Sequence, residues 1–128
     1  MDAKLTDKGI QQCLTQSKEM GEVQPELIIV SPFTRTLQTA HIMFGGKGIP
    51  FMVHDLCRER WGLYTCDKRR EKKKILQEFE AVYAHTNDHI DFSTFGYATE
   101  EDVDWTDARE PADHVINRGI KVRLIMNH

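Results

Sequence analysis

Long apolar runs are what this chain has least of. Its longest uninterrupted aliphatic stretch is Leu27-Ile28-Ile29-Val30, far short of the roughly 20 apolar residues that a bilayer crossing requires. No segment therefore reads as a transmembrane helix, and no membrane partner is expected. The first residues, from Met1 to Gly9, contain neither an apolar central region nor the Arg-rich, acid-poor character of a transit peptide, so the expected compartment is the cytosol. Cysteine is scarce as well: Cys13, Cys57 and Cys66 are odd in number and include no Cys-x-x-Cys pair. That argues against a disulfide framework and against a four-ligand zinc knot, and leaves three reduced thiols. Charge of one sign is also lacking, with 17 Lys and Arg against 20 Asp and Glu, so nothing draws the chain generally to nucleic acid.

What remains suits one small domain. Ile, Leu, Val and Phe supply 31 of the 128 residues, enough for a modest core. From Thr6 as N-cap to Gly21 as stop, Ile10, Cys13, Leu14 and Ser17 fall at helical spacing. Leu27 to Val30 reads as a buried strand. Ser31-Pro32 resembles an N-cap followed by a first helical proline, predicting a helix that runs to Gly45-Gly46. Pro50 to His54 reads as a second strand, Leu56 to Asp67 as a structured loop, and Lys68 to His85 as a helix with Ile75, Leu76, Phe79 and Val82 on its apolar stripe. A polar loop with Phe92, Phe95 and Tyr97 follows. The last helix begins at Glu110-Pro111 and carries Val115, Ile116, Gly119, Ile120 and Ile125. Helix and strand alternate, which predicts an α/β fold. Two convincing strands are nevertheless few for four helices.

One site breaks a local rule. Between Val30 and Ala40 a buried strand passes straight into a helix whose first turn holds Arg35 and no acid. A cation there opposes the helix dipole by roughly 0.3 to 1 kcal/mol. Two readings explain it: Arg35 pairs with a carboxylate from elsewhere, or it presents a planar fork to an anion beside free backbone N–H groups.

Ser31-Pro32-Phe33-Thr34-Arg35-Thr36-Leu37-Gln38-Thr39-Ala40 resembles the S-P-x-x-R-T-x-Q-T-A segment of the histidine phosphatase superfamily, the phosphoglycerate mutase-like proteins. Leu5-Thr6-x-x-Gly9-x-x-Gln12 is similar to that family's helix start. Leu56-Cys57-Arg58-Glu59-Arg60-Trp61-Gly62 and Cys66-Asp67-Lys68-Arg69-Arg70 look like its L-x-R-E-x-x-G and C-D-K-R patterns, and Asp91-Phe92-Ser93, Glu100-Glu101-Asp102, Trp105 and Arg109-Glu110-Pro111 fit the same subgroup. Taken in order, these segments span nearly the whole chain.

The resemblance implies a three-layer α/β/α fold and phosphoryl transfer to a histidine, without cofactor or metal. It makes Arg35 a phosphate clamp and Glu59 the acid that protonates the leaving oxygen. Arg58 and Arg60 flank Glu59, and a surface ion pair with either is the competing reading. The family's nucleophile lies in an Arg-His-Gly motif and its second histidine in a His-Gly or His-Ser motif. Neither occurs here, and none of His41, His54, His85, His89, His114 and His128 stands in either position. The expectation is a partial fold, as of a truncated product or a shortened paralogue, lacking the first strand and a late catalytic strand. Negligible turnover, low stability and self-association through exposed sheet edges follow from it. The expected partner is a phosphorylated small molecule or a phosphoprotein. The alternative function is a non-catalytic phospho-ligand or protein-interaction module.

Other patterns carry less. Lys68 to Lys74 holds six basic residues in seven, but acids follow and no aromatic residue interleaves, so a solvated helix face is expected rather than a nucleic-acid site. His85 and His89, with Asp88 and Asp91, lack a third ligand for a metal. Gly45-Gly46-Lys47-Gly48 misses the spacing of a phosphate loop and reads as helix termination. Cys57 has no His or Asn partner that would make it a nucleophile and is taken as a buried thiol. Trp61 and Trp105 are expected to be packing residues.

Overall fold

In a computed structural model, residues 2–93 and 99–127 are described. Phe95, Tyr97 and His128 lie outside them. The elements run α1 (Asp7–Glu19), β1 (Ile28–Val30), α2 (Thr34–Phe44), β2 (Phe51–Val53), two single 3-10 turns at Asp55–Cys57 and Thr65–Asp67, α3 (Lys72–His85), β3 (Ile90–Asp91) and α4 (Ala112–Met126). The strands form a parallel sheet in the order β1-β2-β3. Ile28, Ile29 and Val30 stand opposite Phe51, Met52 and Val53, while Phe51 and Met52 stand opposite Ile90 and Asp91.

Strand alternation divides the sheet's side chains between two faces. Val30, Phe51 and Val53 join Leu37 and Ala40 of α2 and Ile75, Phe79 and Tyr83 of α3 in the core, and α1 packs on α2. The buried phenol of Tyr83 donates to the Leu37 carbonyl at 2.9 Å, and burial pushes its pKa well up. On the opposite face Ile29 lines a shallow groove with Leu27, Cys57, and Val122 and Met126 of α4. That face is thinly covered.

The first helix follows its signals: Thr6 Oγ1 accepts from the Gly9 N–H at 3.1 Å, capping α1. Gly45 ends α2 with its N–H on the His41 carbonyl at 2.8 Å. Two boundaries differ from the sequence expectation. Helix α2 begins at Thr34, not at the Ser31-Pro32 pair, because Phe33 is its N-cap and the Thr34 N–H finds its acceptor in a distant residue. Helix α3 begins at Lys72, because Arg69 turns inward before it. A third strand, β3, was not anticipated. It has two residues, and its identity comes from pairing with β2 rather than from any alternation of its own.

Candidate functional site

The acid missing from the first turn of α2 arrives from 32 residues upstream. Asp2, 3 % exposed, accepts from the Thr34 N–H through Oδ1 and from the Thr34 hydroxyl through Oδ2, each at 2.8 Å. Arg70 Nε donates to Asp2 Oδ2 at 3.2 Å and to Thr34 Oγ1 at 3.1 Å, and Arg70 Nη1 pairs with Glu78 at 2.8 Å. One of the N–H groups expected to be free at this helix end is therefore taken by the protein itself.

Arg35 follows immediately and points away from this cap. Its Nη1 donates to the Cys66 carbonyl at 3.0 Å and its Nη2 to Asp67 Oδ1 at 3.2 Å, and the guanidinium lies 4.9 Å from the centre of the Phe33 ring. Both sequence readings of Arg35 thus keep their footing. It does pair with a carboxylate, yet its side chain is 26 % exposed and the other three of its five N–H donors have no partner among the described residues. The second oxygen of Asp67 faces Arg109 Nη1 at 3.5 Å, and Arg109 also donates to the Gly62 carbonyl at 2.9 Å. Two arginines therefore share one carboxylate. Behind Arg35, at the end of β1, the Ser31 hydroxyl is buried and has no hydrogen-bond partner among the described residues.

Glu59 lies just beyond the neighbouring strand, β2. It is exposed, and its Oε1 accepts from the Arg60 N–H at 3.1 Å. The expected competing salt bridge with its neighbours does not form. Arg58 turns inward, its side chain 2 % exposed, and grips Asp102 in a bidentate pair at 2.8 and 2.6 Å. Arg60 Nε donates to the Glu110 carbonyl at 2.7 Å. Glu59 is left facing solvent between two arginines that point elsewhere. No hydrogen bond or ion pair joins it to Arg35; both follow the C-terminal ends of adjacent parallel strands, where open α/β sheets place their ligands.

A lattice of arginine pairs supports these loops. Burial alone would raise the Asp102 pKa, but hydrogen bonds from Arg58 and from the Arg69 N–H, with both guanidinium charges, hold it below the usual carboxylate range. Arg118 makes a bidentate pair with fully buried Glu110 at 2.9 and 2.7 Å and donates to the carbonyls of Leu56 and Arg58. Nearby, burial raises the pKa of Asp55, against the pull of Arg58 and Arg69.

The remaining candidates resolve as follows. Of the basic run, Arg69 is 3 % exposed and donates to the carbonyls of Arg70, Thr99, Glu100 and Glu101, so the run is not a uniformly solvated face. Asp88 accepts from the Gly46 N–H at 3.0 Å and so closes the glycine turn. Cys57 is half-buried, and burial pushes its thiol pKa up, away from a nucleophile's. Trp61 is more than packing: Arg58 and Arg118 lie 5.3 and 5.4 Å from its ring, and Lys68 lies 5.3 Å from that of Trp105. Asp2, Asp67, Asp102 and Glu110 organise the site without having been singled out by the sequence reading. Asp67 and Glu110 carried a signal, since each lies in a motif bearing an arginine; Asp2 and Asp102 lie in segments without one.

A three-stranded parallel sheet with helices packed on it, and a strand-to-helix turn with a part-exposed arginine at its C-terminal edge, define an α/β protein. The histidine phosphatase superfamily (branch 1) matches residues 1–117, and the chain belongs to that family. It is 31 % identical to the "Phosphoglycerate mutase-like protein" of Arabidopsis thaliana, over 94 % of this chain and 53 % of the relative. It is 32 % identical to "Phosphoglycerate mutase-like protein 1" of the same plant, over 94 % and 51 %, and 30 % identical to "Phosphomutase-like protein 3" of Candida albicans, over 88 % and 34 %. The chain spans about half the length of the two plant relatives. No solved structure matches it significantly. Among the described residues, no helix is long and apolar enough to cross a membrane.

Proposed function

We propose that the β1–α2 junction binds the phosphoryl group of a phosphomonoester, with Arg35 as its clamp and Glu59 as the acid that serves the leaving oxygen. The observation that carries this reading is Arg35 itself: held in place by Cys66 and Asp67, it still offers three N–H donors at the mouth of the parallel sheet. Placing such a cation where equatorial oxygens gather charge is what phosphoryl transfer needs. In a complete protein of this type the reaction passes through a phosphohistidine, and water or a second acceptor then takes the phosphoryl group. The substrate class is a phosphorylated small molecule or a phosphoprotein.

A second reading, a phospho-ligand module without chemistry, is favoured by one sequence fact: no arginine in the 128 residues is followed by histidine. Both readings share the Arg35 site and differ in turnover. Inorganic phosphate is expected to raise the melting temperature of the native chain and not that of Arg35→Ala, while p-nitrophenyl phosphate is hydrolysed at the buffer rate by both. Equal protection of the two proteins would remove Arg35 from the site. Arg35-dependent hydrolysis by these 128 residues would overturn the module reading.

A further inference from the structure

Two arginines brace residues 56–62, and they are bonded very differently. Arg118 spends four of its five N–H donors, on both oxygens of Glu110 and on the carbonyls of Leu56 and Arg58. Arg109 uses only Nη1, which donates to the Gly62 carbonyl at 2.9 Å and reaches Asp67 Oδ2 at 3.5 Å, near the limit of a hydrogen bond. Its Nε hydrogen and both hydrogens of Nη2 have no partner among the described residues, and its side chain is 31 % exposed. The backbone beneath it is nevertheless fixed. The Glu110 N–H donates to the Trp61 carbonyl at 3.0 Å, and Ala108 approaches Gly62 so closely that no Cβ fits between them. The Tyr64 ring flanks the guanidinium, with its centre 5.9 Å from the central carbon. An arginine seated this firmly and bonded this sparsely has donors to spare for a ligand.

We propose that Arg109 is a second arm of the phosphoryl site at Arg35, and that one phosphoryl group is straddled by both guanidiniums. This rests on the assignment of that site to Arg35 and adds a second residue to it. Asp67 is what points to a shared ligand: its Oδ1 meets Arg35 Nη2 at 3.2 Å and its Oδ2 meets Arg109 Nη1 at 3.5 Å. Two guanidiniums that straddle one carboxylate are spaced to straddle another oxyanion of similar breadth, and carboxylate and phosphate accept the same planar fork. Asp67 is thus an internal mimic of the ligand. With one negative charge against two positive ones, it leaves the arginine pair net positive. Each arginine also keeps three unbonded N–H donors. The ligand class is a phosphoryl group, whose three terminal oxygens can engage both forks, rather than a carboxylate, which one fork saturates.

Calorimetric titration of the 128-residue chain and its variants with inorganic phosphate at low ionic strength tests this. Arg109→Gln removes the charge and keeps an N–H donor for the Gly62 carbonyl; it is expected to weaken phosphate binding about fivefold or more. Arg109→Lys, which restores the charge, is expected to recover part of that loss. The loss is also expected to persist when Arg109→Gln is made in an Asp67→Asn background, since a direct contact does not pass through Asp67. Far-UV circular dichroism verifies the fold of each variant. Native affinity in Arg109→Gln, alongside a loss in Arg35→Ala, overturns the second arm and leaves the Arg35 site standing. A loss that vanishes in the Asp67→Asn background makes Arg109 a support for Asp67 only and likewise overturns it. Equal affinity of Arg35→Ala and the native chain, or no phosphate binding by the native chain, overturns both readings.

Discussion

Asp67 divides its two oxygens between Arg35 and Arg109, so any phosphate at Arg35 must share that guanidinium with a negative neighbour. Replacing Asp67 by Asn removes the charge and keeps the shape. Pairs of this exposure are worth about 0.2 to 1 kcal/mol, so Asp67→Asn is expected to strengthen phosphate binding by up to about fivefold, as read by calorimetric titration. Asp102 is the opposite case, with its partner Arg58 almost wholly buried. Breaking a buried pair from one side costs about 3 to 5 kcal/mol, so urea melts of Asp102→Asn are expected to show a loss of that order. The pH dependence has a definite sign. The folded-state pKa of Asp102 lies below its unfolded value, so its contribution is complete above about pH 4 and is lost as pH falls through the lowered folded value. The native chain should lose stability steeply on the acid side, and Asp102→Asn less so. Asp55, with a raised pKa, works in the reverse direction and blunts the effect.

At the scale of elements, α2 shows what a linear reading catches and what it misses. The spacing of residues 31 to 45 announced a helix with an arginine in its first turn, and both are there. Its start was displaced because Ser-Pro resembles a cap by local chemistry, whereas the actual acceptor is the Asp2 carboxylate, brought by tertiary contact. Arg35 and Glu59 could be picked out as candidates because they sit inside short motifs. Asp67 as the partner of Arg35 could not, since a pairing across 32 residues leaves no local trace. The periodicity of α4 was likewise legible as a helix and silent about which stripe would face the sheet. Asp2→Ala should cost about 1 to 2 kcal/mol through the lost cap alone, measurable by denaturant melts. Gly62 couples two loops: its φ is +91°, and a Cβ there would stand 2.1 Å from the Ala108 carbonyl oxygen. Gly62→Ala is therefore expected to destabilise by more than about 1 kcal/mol and to loosen Arg109, whose guanidinium bonds to the Gly62 carbonyl.

For the molecule as a whole, the sheet of three short strands is well covered by α2 and α3 and sparsely by α4. Its outer strand β1, the one leading to Arg35, pairs on one side only among the described residues. Membership of the histidine phosphatase superfamily sets the frame, and the proposed phosphoryl site depends on Arg35, in the first turn of the helix that follows that strand. The most direct measurement is calorimetric titration of the 128-residue chain and of Arg35→Ala with inorganic phosphate at low ionic strength. Charge-assisted hydrogen bonds of this kind contribute about 1.5 to 3 kcal/mol, so Arg35→Ala is expected to bind phosphate about tenfold more weakly or worse. Equal affinity in the two proteins would contradict a phosphoryl site at Arg35.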